Sequence, residues 1–217
     1  MYAEAAAARL LRVPPSTLRR WLAVTDGRQR RSDPSGSRAG PPGRRILDWA
    51  EFVEAAYLRE HRQAHRVSMS GLPIFLALLR DQFGVPHPIA DRRVFTDGRA
   101  VVWEVQAAAS LHPRWWLVVT TGDRLTLTPQ AAAFHRRVGW AGDSAASYRP
   151  DPSPDSPVRI RPDVRFGRPA IGGVSTESIA EHQAAGTDPE TIAEMYALTP
   201  ADVAWALAYE SGTRPGR

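Results

Sequence analysis

Cysteine is absent from the 217 residues, and so is lysine. Without cysteine there is no disulfide framework, no thiolate nucleophile and no cysteine-ligated zinc. Without lysine, all 28 side-chain cations are arginines. Genomic base composition alone can produce that bias, and no function is read from it. No stretch reaches the ~18 consecutive apolar residues of a membrane helix, and the head of the chain holds no uninterrupted apolar segment. We therefore expect a soluble, cytoplasmic chain with neither signal peptide nor membrane span. Hydrophobic residues make up 43% of the composition, enough for real cores in one to three small domains.

What is present is unevenly spread. Residues 1–45 hold 10 arginines and 3 acids, residues 46–150 hold 12 and 10, and residues 151–217 hold 6 and 10. The net charge of +5 therefore conceals a basic head and an acidic tail, which predicts different partners at the two ends.

In the head, Ala3 to Arg12 has the composition of a helix former, and Val13-Pro14-Pro15 forces a break. Ser16 and Thr17 stand at the start of a second short helix, with Leu18, Trp21 and Leu22 on one face. Two short helices around a tight break predict a helix-turn-helix. Ser16, Thr17, Arg19 and Arg20 then lie where they can reach a DNA groove. The next segment is dense in Ser, Gly, Pro and Arg and cannot bury enough surface to order itself. It reads as a basic wing, in which Arg28, Arg30, Arg31, Arg38, Arg44 and Arg45 would give sequence-independent, salt-sensitive contacts to phosphates. Ile46 to His65 is predicted helical, with Trp49, Phe52, Val53, Ala56 and Tyr57 as core or dimer seam.

Thr17-Leu18-Arg19-Arg20-Trp21, followed by Gly43-Arg44-Arg45-Ile46-Leu47 and an amphipathic helix, resembles the winged-helix head of MerR-type regulators. The pattern commonly has an aromatic where this chain has Leu47, and the wing is long. The resemblance implies that the helix of Ser16–Leu22 enters the major groove while the Gly43-Arg44-Arg45 wing touches the backbone.

Further on, Ile74 to Phe83 is predicted helical and ends at Gly84. Val94-Phe95-Thr96 and Ala100 to Val105 are read as strands around an Asp97-Gly98 turn, and a second pair spans Trp115 to Thr121 and Arg124 to Thr128. Pro129 to Val138 returns to helix. The tryptophans at 103, 115 and 116 serve as core, or alternatively line a ligand pocket. Four prolines between Arg149 and Pro157 read as an extended linker.

The tail opens with a short strand, Val158-Arg159-Ile160, and then reads Phe166-Gly167-Arg168-Pro169-Ala170-Ile171-Gly172-Gly173. Three helices are expected: Thr176 to Ala185, one opened by Thr187-Asp188-Pro189-Glu190, and one opened by Thr199-Pro200-Ala201-Asp202. The last two again have helix-turn-helix spacing.

Gly167-Arg168-Pro169-Ala170-Ile171-Gly172-Gly173, Gly186-Thr187-Asp188-Pro189-Glu190-Thr191-Ile192, and Leu198-Thr199 through Val203 to Tyr209 resemble the C-terminal domain of VapB-type antitoxins, a group long filed as a domain of unknown function. Val174-Ser175 departs from the Thr/Ile-Arg of that pattern. Phe95-Thr96-Asp97-Gly98-Arg99 is similar to the longer members, which join a MerR-like head to this tail. The resemblance implies a partner toxin that is a PIN-like ribonuclease, whose acidic metal site this protein would block. Which surface binds the toxin stays open, and the tail is the favoured candidate.

Enzyme chemistry finds little footing. His61 and His65 stand at metal-sharing spacing, but no third ligand is suggested and arginines flank both, so a solvated helix face is the preferred reading. No phosphate loop, zinc-hydrolase helix or nucleophile–base set occurs. We expect no catalytic residue, no metal and no cofactor.

The sum is a mainly α chain with a small β component (α+β): a winged helix-turn-helix at 1–66, an α+β module at 67–148, a linker at 149–157 and a three-helix domain at 158–217. It is expected to act as a DNA-binding antitoxin and autorepressor, homodimeric on double-stranded operator DNA. A one-component MerR-like regulator sensing a small molecule, and a pure assembly protein, are the competing classes.

Overall fold

The computed structural model describes residues 1–25, 45–64, 69 and 71–212. The fold is α+β, mainly helical with small two-stranded sheets. Two compact units form, residues 1–136 with 140–145, and residues 137–139 with 146–217.

The first unit begins with β1 (Tyr2–Ala3), which pairs antiparallel with β2 (Ile46–Leu47). Between them stand α1 (Glu4–Leu10) and α2 (Pro15–Thr25). Then come α3 (Trp49–Ala64) and α4 (Leu72–Phe83), both against α2 or its neighbours. Burial follows the helical period: Leu18, Trp21 and Leu22 of α2, Phe52 and Val53 of α3, and Phe75 and Leu79 of α4 all leave water. Tyr2 stacks on Phe52 at 4.8 Å, which ties the small sheet to α3.

The strand pair expected at 94–105 is not formed. Residues Arg92–Val94 make one 3₁₀ turn, and Arg99–Ala108 is a helix, α5. Val102, Val105, Gln106 and Ala109 are buried at helical spacing, whereas Ala100, Glu104 and Ala107 face water. The run of valines suggested a strand, but tertiary burial overrides that preference. Gly98 precedes α5 because a Cβ there would stand 2.3 Å from the Phe83 ring and 2.8 Å from the Arg93 carbonyl oxygen.

The second hairpin forms, though its first strand is shorter than expected: Pro113–Trp115 is a 3₁₀ turn, β3 (Val118–Thr121) pairs with β4 (Arg124–Leu127), and α6 (Pro129–Arg137) comes next. Gln106 holds the hairpin to α5. Its amide donates to the Val118 carbonyl at 2.6 Å and accepts from the amides of Leu117 and Val118 at 3.2 and 3.4 Å. Trp115 is buried, and Trp103 and Trp116 meet edge to face at 5.5 Å. His61 is not on a solvated face: it is buried, stacked on Trp115 at 5.3 Å. His65 lies outside the described residues, among which no cluster of potential ligands could hold a metal.

A buried carboxylate, Glu54 on α3, organises a polar cluster. Its Oε2 lies 3.0 Å from His87 Nδ1 and 3.8 Å from Arg80, and its Oε1 accepts from the Ile89 amide at 3.4 Å. Burial opposes the His87 proton, but the hydrogen bond to Glu54 and the fields of Glu54, Asp48 and Glu51 together outweigh it, so the pKa is raised above 6.5. His135 shifts the other way, through burial first and then Arg92, Arg99 and Arg136. A raised folded pKa contributes stability that is complete below the unfolded value and disappears as pH climbs through the folded one. A depressed histidine costs stability as pH falls below the unfolded value. The His135→Gln variant, which removes the opposing shift of His135, is therefore expected to lose stability as pH rises from about 6 through the folded His87 pKa. Adding His87→Gln should flatten that slope in urea titrations across the range; a slope that survives would refute the assignment.

The second unit continues through β5 (Val138–Ala141) and β6 (Ser144–Tyr148), the hairpin in which the division between units falls. Residues 149–157, expected as a linker, are instead hydrogen-bonded into this unit. Buried Arg137 donates to the carbonyls of Arg149 (2.8 Å) and Pro150 and to the Tyr148 hydroxyl (2.8 Å), and Arg159 donates to the Ser156 carbonyl at 2.6 Å. Val158–Ile160 makes single bridges, Ile160 to Tyr148 and Arg159 to Ala170. A two-residue turn of left-handed glycines, Gly172 and Gly173, joins β7 (Ala170–Ile171) to β8 (Val174–Ser175).

Three helices complete the unit: α7 (Thr176–Ala184), α8 (Pro189–Tyr196) and α9 (Pro200–Ser211). Their core is Ile171, Val174, Ile179, Ile192, Val203 and Ala206, with Trp205, Leu207 and Tyr209 packed against it. α9 starts where expected, and Thr199 and Asp202 form a capping box there. In α8 the cap is Asp188, paired with Thr191 rather than Thr187 with Glu190. Ser175, which stands where the resembled pattern has arginine, caps α7 by accepting from the Ser178 amide at 3.1 Å.

Candidate nucleic-acid interface

The turn between α1 and α2 is built by one left-handed residue. Arg12 has φ +52°, so the amides of Arg12 and Val13 fold back onto the carbonyls of Arg9 (3.0 Å) and Ala8 (3.0 Å). The Pro14 carbonyl then accepts from the amides of Thr17 and Leu18 at 2.9 and 3.1 Å. Pro15 opens α2, where a missing amide hydrogen costs nothing. Ser16 and Thr17 therefore sit inside the first turn rather than capping it.

Packing then decides which face is free. Leu18, Trp21 and Leu22 point inward, and Ser16, Arg19, Arg20 and Ala23 form the exposed stripe at i, i+3, i+4 and i+7. Thr17 is half-buried. The structure thus brings together four of the expected contact residues, Ser16, Thr17, Arg19 and Arg20, on one short helix.

The two arginines differ in kind. Arg19 Nη2 lies 2.6 Å from Oε1 of Glu4, and Nε lies 3.4 Å from Oε2. The Glu4 side chain is 3% exposed and Arg19 is 49% exposed. Hydrogen bonding and charge from Glu4 raise the Arg19 pKa further. Arg19 thus neutralises a buried carboxylate on α1. Among the described residues Arg20 forms no ion pair and is exposed. Arg9 and Arg12, exposed on α1 and the turn, are cations that sequence reasoning did not single out. Their exposure depends on which side of α1 is covered, and the Ala5 to Ala8 run hides that choice.

Arg45 is also committed to the fold. Its guanidinium meets Glu51 Oε1 at 3.1 Å, and its carbonyl accepts the Glu4 amide at 2.9 Å. Arg28, Arg30, Arg31, Arg38 and Arg44 lie outside the described residues, as does the expected wing.

The α8–α9 pair repeats the turn. Ala197 is left-handed (φ +52°), and the Leu198 amide returns to the Ala193 carbonyl at 2.9 Å. The outer face of α9, however, offers Pro200, Ala201 and Ala204, and the helix carries no arginine. The same geometry without cations has nothing to hold a phosphate.

Residues 158–209 match the family described as Protein of unknown function (DUF433). The matched segment runs from Val158 through β7, β8, α7 and α8 into α9. Over 223 residues the chain is 24% identical to the uncharacterized protein Rv2308 of Mycobacterium tuberculosis, spanning 100% of this chain and 92% of that one. Its fold is shared with the crystal structure of Rv2018 from Mycobacterium tuberculosis, at a TM-score of 0.76 and 23% identity, over 95% of this chain and 96% of that one. No helix among the described residues is long and apolar enough to cross a membrane.

Proposed function

We propose that this protein is the antitoxin of a two-component pair, binding its own operator DNA through α2 and neutralising a PIN-like ribonuclease by direct contact. The observation that carries the DNA half is the outward stripe of α2, Ser16-Arg19-Arg20-Ala23, set beside a helix-turn-helix break. A short helix with an exposed N-terminal half and a cation that forms no ion pair among the described residues suits major-groove entry. Dimerisation would place two such helices on an inverted repeat. Support for the toxin half comes from the resemblance of the tail's motifs, Gly167 to Gly173 and Leu198 to Tyr209, to antitoxin tails. The Arg19–Glu4 pair refines the DNA reading: Arg19 positions the helix, and Arg20 makes the base contact.

Co-expression with the protein encoded by the adjacent reading frame, which this reading expects to be a PIN-like ribonuclease, tests the whole reading. Rescue of growth, a stable co-purified complex and retardation of the upstream DNA fragment are expected. Growth arrest undiminished by this protein, with no retarded fragment, overturns it.

A further inference from the structure

One side chain of the second unit is placed as no stability argument would place it. Phe166 is 93% exposed. Its backbone and that of Arg165 both lie in the left-handed region, at φ +55° and +47°, and Gly167 is also left-handed at +77°. Only glycine enters that region freely, so two consecutive L-residues there are held by their surroundings. The hold is visible. Arg165 Nε donates to the Gly173 carbonyl at 2.6 Å, the Gly167 amide to Val164 at 2.9 Å, and the Arg168 amide to Arg165 at 3.1 Å. The loop is a rigid mount for a bare aromatic ring. Strain retained at an exposed position points to use.

Charge identifies what the ring meets. The arginines of the tail's described part, Arg159, Arg161, Arg165 and Arg168, all fall within ten residues around Phe166, and most of its carboxylates lie on α7, α8 and α9. Arg161 is paired with Asp163 at 2.7 Å and Arg168 with Glu177 at 2.6 Å. Arg159 is half-buried and donates to the carbonyls of Ser156 and Val158, which leaves Arg165, exposed and next to the ring in the chain, without a carboxylate among the described residues. One exposed arginine without a carboxylate, on a tail richer in acids than in arginines, is a poor match to a polyanion, which disfavours nucleic acid. A second copy would offer carboxylates, but Met195, 53% exposed, is the other exposed large hydrophobic side chain among this unit's described residues, too little apolar surface to receive a ring.

We propose that the Arg165-Phe166 tip is the anchor of a protein interface, the ring entering an apolar socket on the partner with a carboxylate at its rim to receive Arg165. Aromatic and arginine anchors of this kind carry most of an interface's energy. The assignment rests on the antitoxin reading, in which the partner is a PIN-like ribonuclease.

Full-length protein carrying Phe166→Gly or Phe166→Ala should be titrated against that ribonuclease, with thermal unfolding and operator binding measured in parallel. Phe166→Gly should unfold at the same or a higher temperature, because glycine accepts the left-handed backbone. It should bind the ribonuclease at least about thirtyfold more weakly, or about 2 kcal/mol, and shift operator DNA unchanged. Phe166→Ala should weaken binding equally, which separates the ring from the backbone. Wild-type affinity in both variants overturns the anchor but leaves the antitoxin reading standing. Failure of the unaltered protein to bind the ribonuclease removes both. Lost DNA affinity with ribonuclease binding intact assigns the tip to nucleic acid, and lost self-association assigns it to a second copy; either result overturns the proposal.

Discussion

Arg20→Ala is expected to weaken operator binding about 10- to 100-fold, the cost of one good base contact, while leaving the unfolding midpoint where it was. Its neighbour should behave differently. Arg19→Ala strips the partner from the buried Glu4 carboxylate, so both the midpoint and the DNA affinity should fall. The double variant Glu4→Gln, Arg19→Ala should recover the midpoint, since a neutral amide is easier to bury. DNA affinity should recover with it if Arg19 acts only by holding α2 in place. Gel shifts on operator and random duplex, beside thermal melts of the same samples, separate these outcomes. Equal losses for Arg20→Ala on both DNAs would reduce Arg20 to a phosphate contact.

Trp115→Ala is expected to destabilise the first unit by about 3–5 kcal/mol, a large part of the stability of an ordinary domain. Trp115 is 2% exposed and lies nearly parallel to His61 at 5.3 Å. His61 in turn meets Tyr57 at 4.0 Å, and Tyr57 meets Phe134 edge-on at 5.1 Å. Removing the indole opens a void at the head of this stack, and the neighbouring rings relax only partly. Trp103→Ala and Trp116→Ala, at half-buried positions, should each cost less than half as much. Denaturant titrations of the three variants test the ordering. Equal effects would mean that the tryptophans form one exposed patch rather than a core and its margin.

Much of the helical framework was legible because its signals are local. Thr199-Pro200-Ala201-Asp202 carries a cap, a first-turn proline and a capping partner within four residues, and α9 starts there. The break at Val13-Pro14-Pro15 and the inward trio Leu18, Trp21 and Leu22 are equally local, which is why the exposed stripe of α2 came out as expected. What failed depended on distant partners. Val101 and Val102 look like strand residues until α4 and the β3–β4 hairpin supply a surface for a helix to bury against. Glu4 and Arg19 are fifteen residues apart with nothing in either environment to announce a pair. Gln106, Glu54 and His87 are polar residues in buried or half-buried places, and their burial depends on carbonyls and amides that only the assembled fold brings near. Arg165 and Phe166 escaped because left-handed backbone is ordinarily announced by glycine, and neither is one.

Arg137 closes α6 yet belongs to the second unit, its guanidinium wedged among the carbonyls of Arg149 and Pro150 and the hydroxyl of Tyr148. A fragment cut to begin at Val158, where the family match begins, would discard that cation together with β6 and the Tyr148 bridge to Ile160. The heritable module and the folding module therefore have different borders. Any attempt to swap this tail onto another head has to splice ahead of residue 137.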